Sequence, residues 1–381
     1  MKVLDFSRVV AGPFATRMLS DLGADVLKIE PPEGDVTRTF SNPGGGAAGF
    51  YMQQNIGKRN ICLDLKQEAA RDLARKLAAE ADIVVENFRP GVMAKFGLAW
   101  EDLKKLNPKL VMLSISGFGQ TGPEAKRAAY APIIHAESGL IGRQAQMSGG
   151  PAYDMQFAMA DSYTSLHGLI GVLAALRVAE KTGQGQQIDM TLLNALHASD
   201  DYANWALDGT WPRPVETIVW QAPEDMQLLI VGDMRWLWHC FSTMDDLQDP
   251  TPKGADLTTK IKLRREAMEH HIASYESFDA LTKRLDAMNL AWGKVNEFGP
   301  EIYEQESIKH RGIVVDIEDD IGNARRTVQS PYRFSESQSG LPSGTRLSRR
   351  GEHNLEALED WLGLPADEVE ALADAGVLLR E

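Results

Sequence analysis

Cysteine is scarce in this 381-residue chain: Cys62 and Cys240 lie far apart and have no metal-ligand spacing. This excludes a disulfide framework and favours two free thiols in a reducing cytoplasm. No apolar run approaches the roughly 18 residues of a transmembrane helix. The opening MKVLDFSRVVAG lacks a long apolar core, so it is predicted to be a strand and not a signal peptide. We therefore expect a cytoplasmic protein that does not bind membranes.

Positive charge is also in deficit, with 40 Lys and Arg against 54 Asp and Glu, a net charge of −14. This balance argues against nucleic acid and anionic membrane surfaces as partners. It leaves room for a small anionic ligand held by a local basic cluster.

Several catalytic and cofactor signatures are missing. The first loop, VVAGP, has neither GxGxxG nor GxxxxGK[ST], and the sequence has no HExxH and no GxSxG. Dinucleotide, P-loop nucleotide, zinc-protease and serine-hydrolase sites are therefore not predicted, and we expect no metal. VVAGP, at 9–13, is compatible with an ordinary tight turn between a strand and a helix.

What is present is an alternation of strands and helices typical of an α/β fold with a parallel sheet. The predicted strands are 2–6, 24–30, 60–65, 82–88 and 110–119. Helices are predicted at 14–22, 66–80 and 100–108, and a long one at 162–181.

Beyond about residue 205 this alternation stops. Five tryptophans cluster there: Trp205, Trp211, Trp220, Trp236 and Trp238. A charged helical stretch follows at 258–290. We predict a smaller domain over 210–305, preceded by a large domain over 1–205 and followed by a segment over 310–381 with two closing helices.

Two clusters are candidate sites. ENFRPG, at 86–91, follows a strand, and Asn87, Phe88 and the nearby Lys95 suit an adenine with phosphates, although ordinary loops contain the same residues.

Asp161 begins the long helix. As a helix cap it would accept backbone N–H bonds, which would lower its pKa and keep it ionised. Composition does not decide between a cap and a reactive carboxylate. His135 could be a base or a hydrogen-bonded core residue.

The motifs together resemble one family. LDFSRVVAGPFATRMLSDLGADVLKIEPPEGDVTR, VENFRPGVMAKFGL, SISGFGQTGP, the stretch around Asp161 and TGQGQQIDM look like class III CoA-transferases. That family includes formyl-CoA transferase and the carnitine CoA-transferase type, with α-methylacyl-CoA racemase as a relative. The resemblance covers residues 2 to about 198 and resumes at 312–376.

The resemblance implies a Rossmann-like large domain built from both chain ends, an inserted smaller α+β domain and an interlocked homodimer. It also implies bound coenzyme A, with acyl-CoA and a carboxylic acid as substrates. The residues that it places along CoA are Val10, Ala11, Arg38, Leu63, Lys66, Asn87, Phe88 and Lys95.

In the same way, the resemblance implies that Asp161 is the nucleophile, which forms an anhydride and then an aspartyl-CoA thioester. An acyl-CoA racemase, which exchanges an α-proton, is the alternative, and a non-catalytic CoA-binding relative is a third. The racemase histidine would fall at Tyr130, which favours the transferase. Ala131 replaces a commonly acidic residue, and His135 aligns with a position that is often glutamine in transferases.

Overall fold

The computed structural model describes residues 1–40, 45–210 and 219–380. The chain forms two compact units, of which the first joins Met1–Asn204 to Glu306–Glu381 and the second is Trp205–Gln305. The sequence places its domain limits at 205, 210, 305 and 310, within a few residues of these divisions. Trp211, which belongs to the predicted tryptophan cluster, lies outside the described residues.

A parallel sheet of six strands forms the centre of the first unit. The strands are β1 (Lys2–Asp5), β2 (Asp25–Glu30), β3 (Arg59–Cys62), β4 (Ile83–Glu86), β5 (Val111–Ser116) and β6 (Gln186–Thr191). Their order is β3-β2-β1-β4-β5-β6, and every neighbouring pair is parallel. The predicted α/β, Rossmann-like fold class is confirmed. The order reverses between β1 and β4, where such sheets bind ligands at the carboxyl ends of their strands.

The helices of the N-terminal part are α1 (Ala11–Asp21), α2 (Gly49–Asn55), α3 (Glu68–Glu80), α4 (Val92–Lys95), α5 (Trp100–Leu106), α6 (Ala131–Glu137), α7 (Leu140–Ser148), α8 (Met159–Thr182), α9 (Leu192–Ala198) and α10 (Ala203–Leu207). Successive strand residues point to opposite faces of the sheet. Val3 packs in one core with α1 and α8, and Leu4 packs in another with α3. Within the described ranges, no helix combines the length and apolarity needed to cross a membrane.

The second unit has its own core. Strands β7 (Val219–Gln221), β8 (Gln227–Ile230) and β9 (Trp292–Lys294) form an antiparallel sheet packed with α11 (Met234–Met244), α12 (Leu257–Ala273) and α13 (Phe278–Ala287). The charged helical stretch predicted over 258–290 is mostly these last two helices, α12 and α13. The division arises at Ser277, whose hydroxyl accepts the Ala280 N–H at 3.1 Å and caps a new helix.

The C-terminal segment returns to the first unit. It contains α14 (Glu306–His310), β10 (Val314–Glu318), β11 (Ala324–Val328), β12 (Thr345–Arg346), α15 (Asn354–Leu362) and α16 (Ala366–Asp374). Edge strand β3 anchors it: the Cys62 N–H donates to Asn354 Oδ1 at 3.1 Å, and the Leu379 N–H donates to the Cys62 carbonyl at 3.2 Å. The large domain thus uses both chain ends, as predicted.

Candidate active site at the ends of β1 and β4

The loops that follow β1 and β4 are joined through Asn87. Its Oδ1 accepts the Arg8 N–H at 2.8 Å, and its Nδ2 donates to the Arg8 carbonyl at 2.7 Å. Both groups of the amide therefore bind backbone, and Asn87 fixes the distance between the two loops at the point where the strand order reverses. The structure gives this predicted binding residue a positioning role.

Buried charges hold the loop after β1 in place. Asp5, at the end of β1, accepts from Lys58 Nζ at 3.0 Å, and the Ser7 carbonyl accepts from Lys28 Nζ at 2.8 Å. Val9 has a φ of +69°, an unfavourable conformation for a β-branched residue. Such strain persists only where surrounding contacts enforce it, and it concentrates at functional sites.

Helix α1 begins directly after this strained residue. Val10, its N-cap, and Ala11 are both buried, and no side chain caps the start of the helix. Gly12 is required there, because a Cβ at this position would lie 2.1 Å from the Cβ of Ser7. The predicted residues Val10 and Ala11 therefore lie where a helix N-terminus meets the carboxyl end of β1.

Two cavities adjoin Phe88. The larger, of about 340 Å³, is lined by Phe88, Leu63 and Lys66 together with Arg8 and Pro32 among others. The smaller, of about 130 Å³, is lined by Asn87, Phe88, Arg127 and Tyr130 among others. Four other residues singled out from the sequence therefore lie around the Phe88 ring: Leu63, Lys66, Asn87 and Tyr130. Lys95 is exposed at the end of α4 and is not among the residues lining either cavity.

Arg8 and Glu86 were not singled out from the sequence. The Arg8 guanidinium lies 5.2 Å from the centroid of the Phe88 ring, so it brings a cation to the larger cavity. Glu86 accepts the Phe88 N–H at 2.9 Å, and burial raises its pKa to about 7. Glu86 stands directly before Asn87 in ENFRPG, within a predicted strand. This position is the only signal for Glu86 in the sequence, because its burial is visible only in the structure.

Arg38, which the resemblance places facing phosphates, is instead engaged in a buried ion-pair network. Its guanidinium contacts Glu30 at 2.9 Å and Asp320 at 3.3 Å, and its side chain is 10% exposed. It also packs on the Tyr51 ring at 4.1 Å. The structure thus makes Arg38 a residue that joins β2 to the C-terminal segment.

Of the two alternatives that composition left open for Asp161, the structure excludes the helix cap. Helix α8 begins at Met159 with Ala158 as its N-cap, and Asp161 lies in the first turn. The lowered pKa expected of a capping carboxylate is wrong: burial raises the pKa of Asp161 to about 7. Among the described residues no donor or cation stabilises the charged carboxylate, so desolvation is unopposed. The result is a partly buried, unpartnered carboxyl group.

The helix that bears Asp161 is tied to the β1 loop and to His135. Ser165 Oγ donates to the Ala11 carbonyl at 2.6 Å. His135 is 2% exposed, and its Nε2 accepts the Ala160 N–H at 3.1 Å. That Nε2 must therefore be unprotonated, so Nδ1 carries the hydrogen and donates to Asp154 at 2.9 Å. His135 is a hydrogen-bonded core residue that holds the backbone beside Asp161.

This geometry gives the first prediction. Replacing His135 with alanine leaves the Ala160 N–H and Asp154 without their partner, so we expect a loss of about 1–3 kcal/mol in unfolding free energy. Glutamine has both a donor and an acceptor, so H135Q should lose under about 1 kcal/mol. Urea unfolding measures both variants. Equal destabilisation by H135A and H135Q would contradict the positioning role.

Within residues 1–40, 45–210 and 219–380, no group of three or more His, Cys, Asp or Glu side chains is arranged to hold a metal ion. Cys62 and Cys240 are buried free thiols.

Comparison with known proteins places this site in context. The model for CoA-transferase family III matches residues 1–354. The chain is 33% identical to succinate–glutarate CoA-transferase of Agrobacterium fabrum, over 94% of each protein. It is 29% identical to formyl-CoA:oxalate CoA-transferase of Streptomyces coelicolor, over 99% of this chain and 98% of the relative.

Among solved structures, a CAIB/BAIF family protein from Brucella suis is similar over 95% of this chain and 98% of its own, with a TM-score of 0.79 and 29% identity. The matches thus extend over both units and agree with the family that the sequence motifs resemble.

Proposed function

The chain belongs to CoA-transferase family III, the class III CoA-transferases, and on this premise we propose that it moves CoA from an acyl-CoA thioester to a carboxylic acid with Asp161 as the nucleophile. The observation that carries the proposal is that the Asp161 carboxyl group is partly buried and has no partner among the described residues. Its raised pKa makes the ionised form more basic than an ordinary aspartate. Greater basicity favours nucleophilic attack.

The proposed reaction uses two kinds of acyl intermediate. The Asp161 carboxylate attacks the thioester carbonyl, the C–S bond breaks and CoA thiolate leaves, which gives a mixed anhydride. The thiolate then attacks the Asp161 carbonyl, which releases the donor acid and forms an aspartyl-CoA thioester. The acceptor carboxylate attacks this thioester, the C–S bond breaks and CoA thiolate leaves, which gives a second mixed anhydride. The thiolate then attacks the acceptor carbonyl of this anhydride, which forms the new acyl-CoA and releases the Asp161 carboxylate.

CoA would lie against the first unit, with Phe88 at the adenine. Phe88 offers a ring between the two cavities, Arg8 and Lys66 bring cations to the larger one, and Lys95 is exposed at the end of α4. Val10 and Ala11 would lie along the path towards Asp161, since Ser165 bonds Ala11 one helical turn beyond Asp161. Binding the long CoA tail would supply the positioning that the reacting groups need.

CoA binding can be tested at Phe88. Stacking of a base on an aromatic side chain is worth about 1–3 kcal/mol, so F88A should weaken CoA binding by roughly 5- to 150-fold in calorimetric titrations. F298A is the matched control, because Phe298 is 97% exposed and belongs to the second unit. Unchanged affinity in F88A would place the adenine elsewhere, and absence of CoA binding by the folded wild type would remove the proposed function.

The substrate class follows from the relatives, which are named for exchange among succinate, glutarate, formyl-CoA and oxalate. We propose small carboxylic acids and their CoA thioesters as the donors and acceptors. Incubation with a panel of acyl-CoAs and acids, read by mass spectrometry for exchanged CoA, identifies the pair. Acceptor-dependent exchange supports the transferase.

The geometry disfavours the racemase alternative. Racemisation at an α-carbon needs a second proton-transfer group besides the aspartate, and that group must have a free nitrogen or oxygen near the substrate. Both ring nitrogens of His135 are occupied, by Asp154 and by the Ala160 N–H. At the position of the racemase histidine stands Tyr130, which is 66% exposed.

We also propose the homodimer. Helix α8 exposes Leu166, Ile170 and Leu173, which recur on one face and are 38%, 64% and 44% exposed. A contiguous exposed apolar face of this kind is typical of a protein interface. If the two chains are interlocked, they should remain dimeric in sedimentation at nanomolar concentration, because separation requires partial unfolding. Monomers that form on dilution would contradict interlocking.

A further inference from the structure

A second basic region lies in the C-terminal segment of the first unit. A cavity of about 350 Å³ is lined by Arg346, Arg349, Arg350 and Arg380, with Glu352 as its acidic member. Four arginines around one cavity are unexpected in a chain of net charge −14. We call these five residues the arginine pocket. None of them belongs to the site built above.

Little within the described residues neutralises these guanidinium groups. Arg346 pairs with Glu352. Arg349 Nε donates to the Asp320 carbonyl at 2.7 Å, and Arg350 donates to the Pro32 carbonyl at 2.5 Å, so both use neutral acceptors. The Nε of Arg350 is buried without a described hydrogen-bond partner. Among the residues that the structure describes, three of these guanidinium groups therefore have no carboxylate partner, and one buried donor has no acceptor.

The backbone that carries the arginines is held firmly. Ser348 Oγ donates to the Lys58 carbonyl at 2.6 Å, and the Gly351 N–H donates to Asn60 Oδ1 at 2.8 Å. The Leu379 N–H donates to the Cys62 carbonyl, which sets the position of Arg380. These bonds anchor the backbone beside the arginines to β3 and to Lys58, which precedes it, so a ligand would not have to order that backbone.

We propose that the arginine pocket binds a phosphate group. Guanidinium forks match phosphate oxygens in geometry, and a phosphate monoester or free phosphate carries enough negative charge to balance the uncompensated arginines. Pro32 connects this pocket to the larger cavity beside Phe88, because it lines that cavity while its carbonyl accepts from Arg350. The phosphate could therefore be the ribose phosphate of CoA, an assignment that rests on the proposed function, or a free phosphate ion.

Calorimetric titration of the full chain with inorganic phosphate, at constant ionic strength, tests the pocket. We expect wild type to bind phosphate, and R380Q and R349Q to bind it roughly tenfold more weakly or worse, as the loss of a charge-assisted contact implies. R235Q is the control, because Arg235 is exposed in the second unit and the substitution removes the same charge. R380Q is expected to fold like the wild type, because Arg380 is exposed. Weaker phosphate binding by R380Q would therefore reflect the lost contact and not misfolding.

Titration with CoA and dephospho-CoA separates the two sources. If the pocket holds the ribose phosphate, wild type prefers CoA, and R380Q and R349Q lose that preference. If it holds free phosphate, the two ligands bind alike, and inorganic phosphate binds in the presence of either. The proposal is overturned if wild type binds no inorganic phosphate and both variants keep the wild-type ratio of the two affinities. Failure of both CoA and dephospho-CoA to bind wild type would count against the proposed function alone, since the phosphate titration does not depend on it.

Discussion

Replacing Asp161 with asparagine is expected to reduce CoA transfer by roughly 10⁴-fold or more, because an amide cannot form the anhydride or the thioester. The variant should fold. Asparagine matches the shape of aspartate, and the Asp161 side chain makes no cap hydrogen bond at the start of α8. Exchange of CoA between an acyl-CoA and a carboxylic acid measures the loss. The control is D201N, since Asp201 is exposed in the same unit.

The same substitution has a defined effect on stability. A carboxyl group whose folded pKa is raised binds its proton more tightly in the folded chain, so ionisation costs stability as pH rises from about 3.8 to about 7. D161N removes that cost and should stabilise the protein at pH 8 by about 1–2 kcal/mol, a value that allows for the remaining exposure of the side chain. In the wild type, kcat/KM should rise with pH through about 7, as the nucleophile ionises.

Two outcomes would redirect the assignment. Near-normal CoA exchange by D161N would show that Asp161 is not the nucleophile. Loss of α-proton exchange on a 2-methylacyl-CoA in D161N, together with no acceptor-dependent transfer by wild type, would favour the racemase.

Replacing Lys58 with methionine is expected to destabilise the protein by about 3–5 kcal/mol, because it strands the Asp5 carboxylate in the core. Asp5 and Lys58 are 0% and 3% exposed, and their charged atoms lie 3.0 Å apart. Lys58 also donates to the Pro13 carbonyl and Asn55 Oδ1. Burial alone would raise the pKa of Asp5, but the ammonium groups of Lys58 and Lys28 and two hydroxyl donors hold it at about 2.

Urea unfolding of K58M measures this loss, and K283M is the control. Lys283 forms an exposed ion pair with Asp279, so K283M should change stability by less than about 1 kcal/mol. Because the folded pKa of Asp5 is lowered, its contribution is present above about pH 4 and is lost as pH falls towards 2. The double variant D5N/K58M should recover part of the stability, because the stranded charge is gone. Equal effects of K58M and K283M would contradict the buried pair.

Much of the fold of the first unit could be predicted, because the patterns that specify its strands and helices lie in short stretches of sequence. Apolar strands separated by helices fix a parallel sheet, and the side chains that follow β1 and β4 must then lie at one edge. That reasoning placed Asn87 and Phe88 at a ligand-binding edge, and the family resemblance placed Leu63 and Lys66 near them. The family was equally predictable, because its motifs are contiguous.

The remaining features depend on contacts between residues far apart in the chain. Arg38 pairs with Asp320, 282 positions away, so its sequence neighbours could not show that it is engaged. Asp161 resembles a helix cap locally, but α8 begins two residues earlier, and tertiary burial reverses the expected direction of its pKa. The function of His135 depends on Asp154 and Ala160, which lie 19 and 25 positions away.

The most direct test of the central claim is to trap the enzyme intermediate on Asp161. Wild type is incubated with an acyl-CoA that it uses, hydroxylamine is added, and the peptides are analysed by mass spectrometry. Hydroxylamine attacks an activated aspartyl carbonyl and leaves a hydroxamate. We predict a hydroxamate at Asp161 that requires acyl-CoA and is absent from D161N. An unmodified Asp161 in a preparation that exchanges CoA, or a hydroxamate on another carboxylate, would contradict the account.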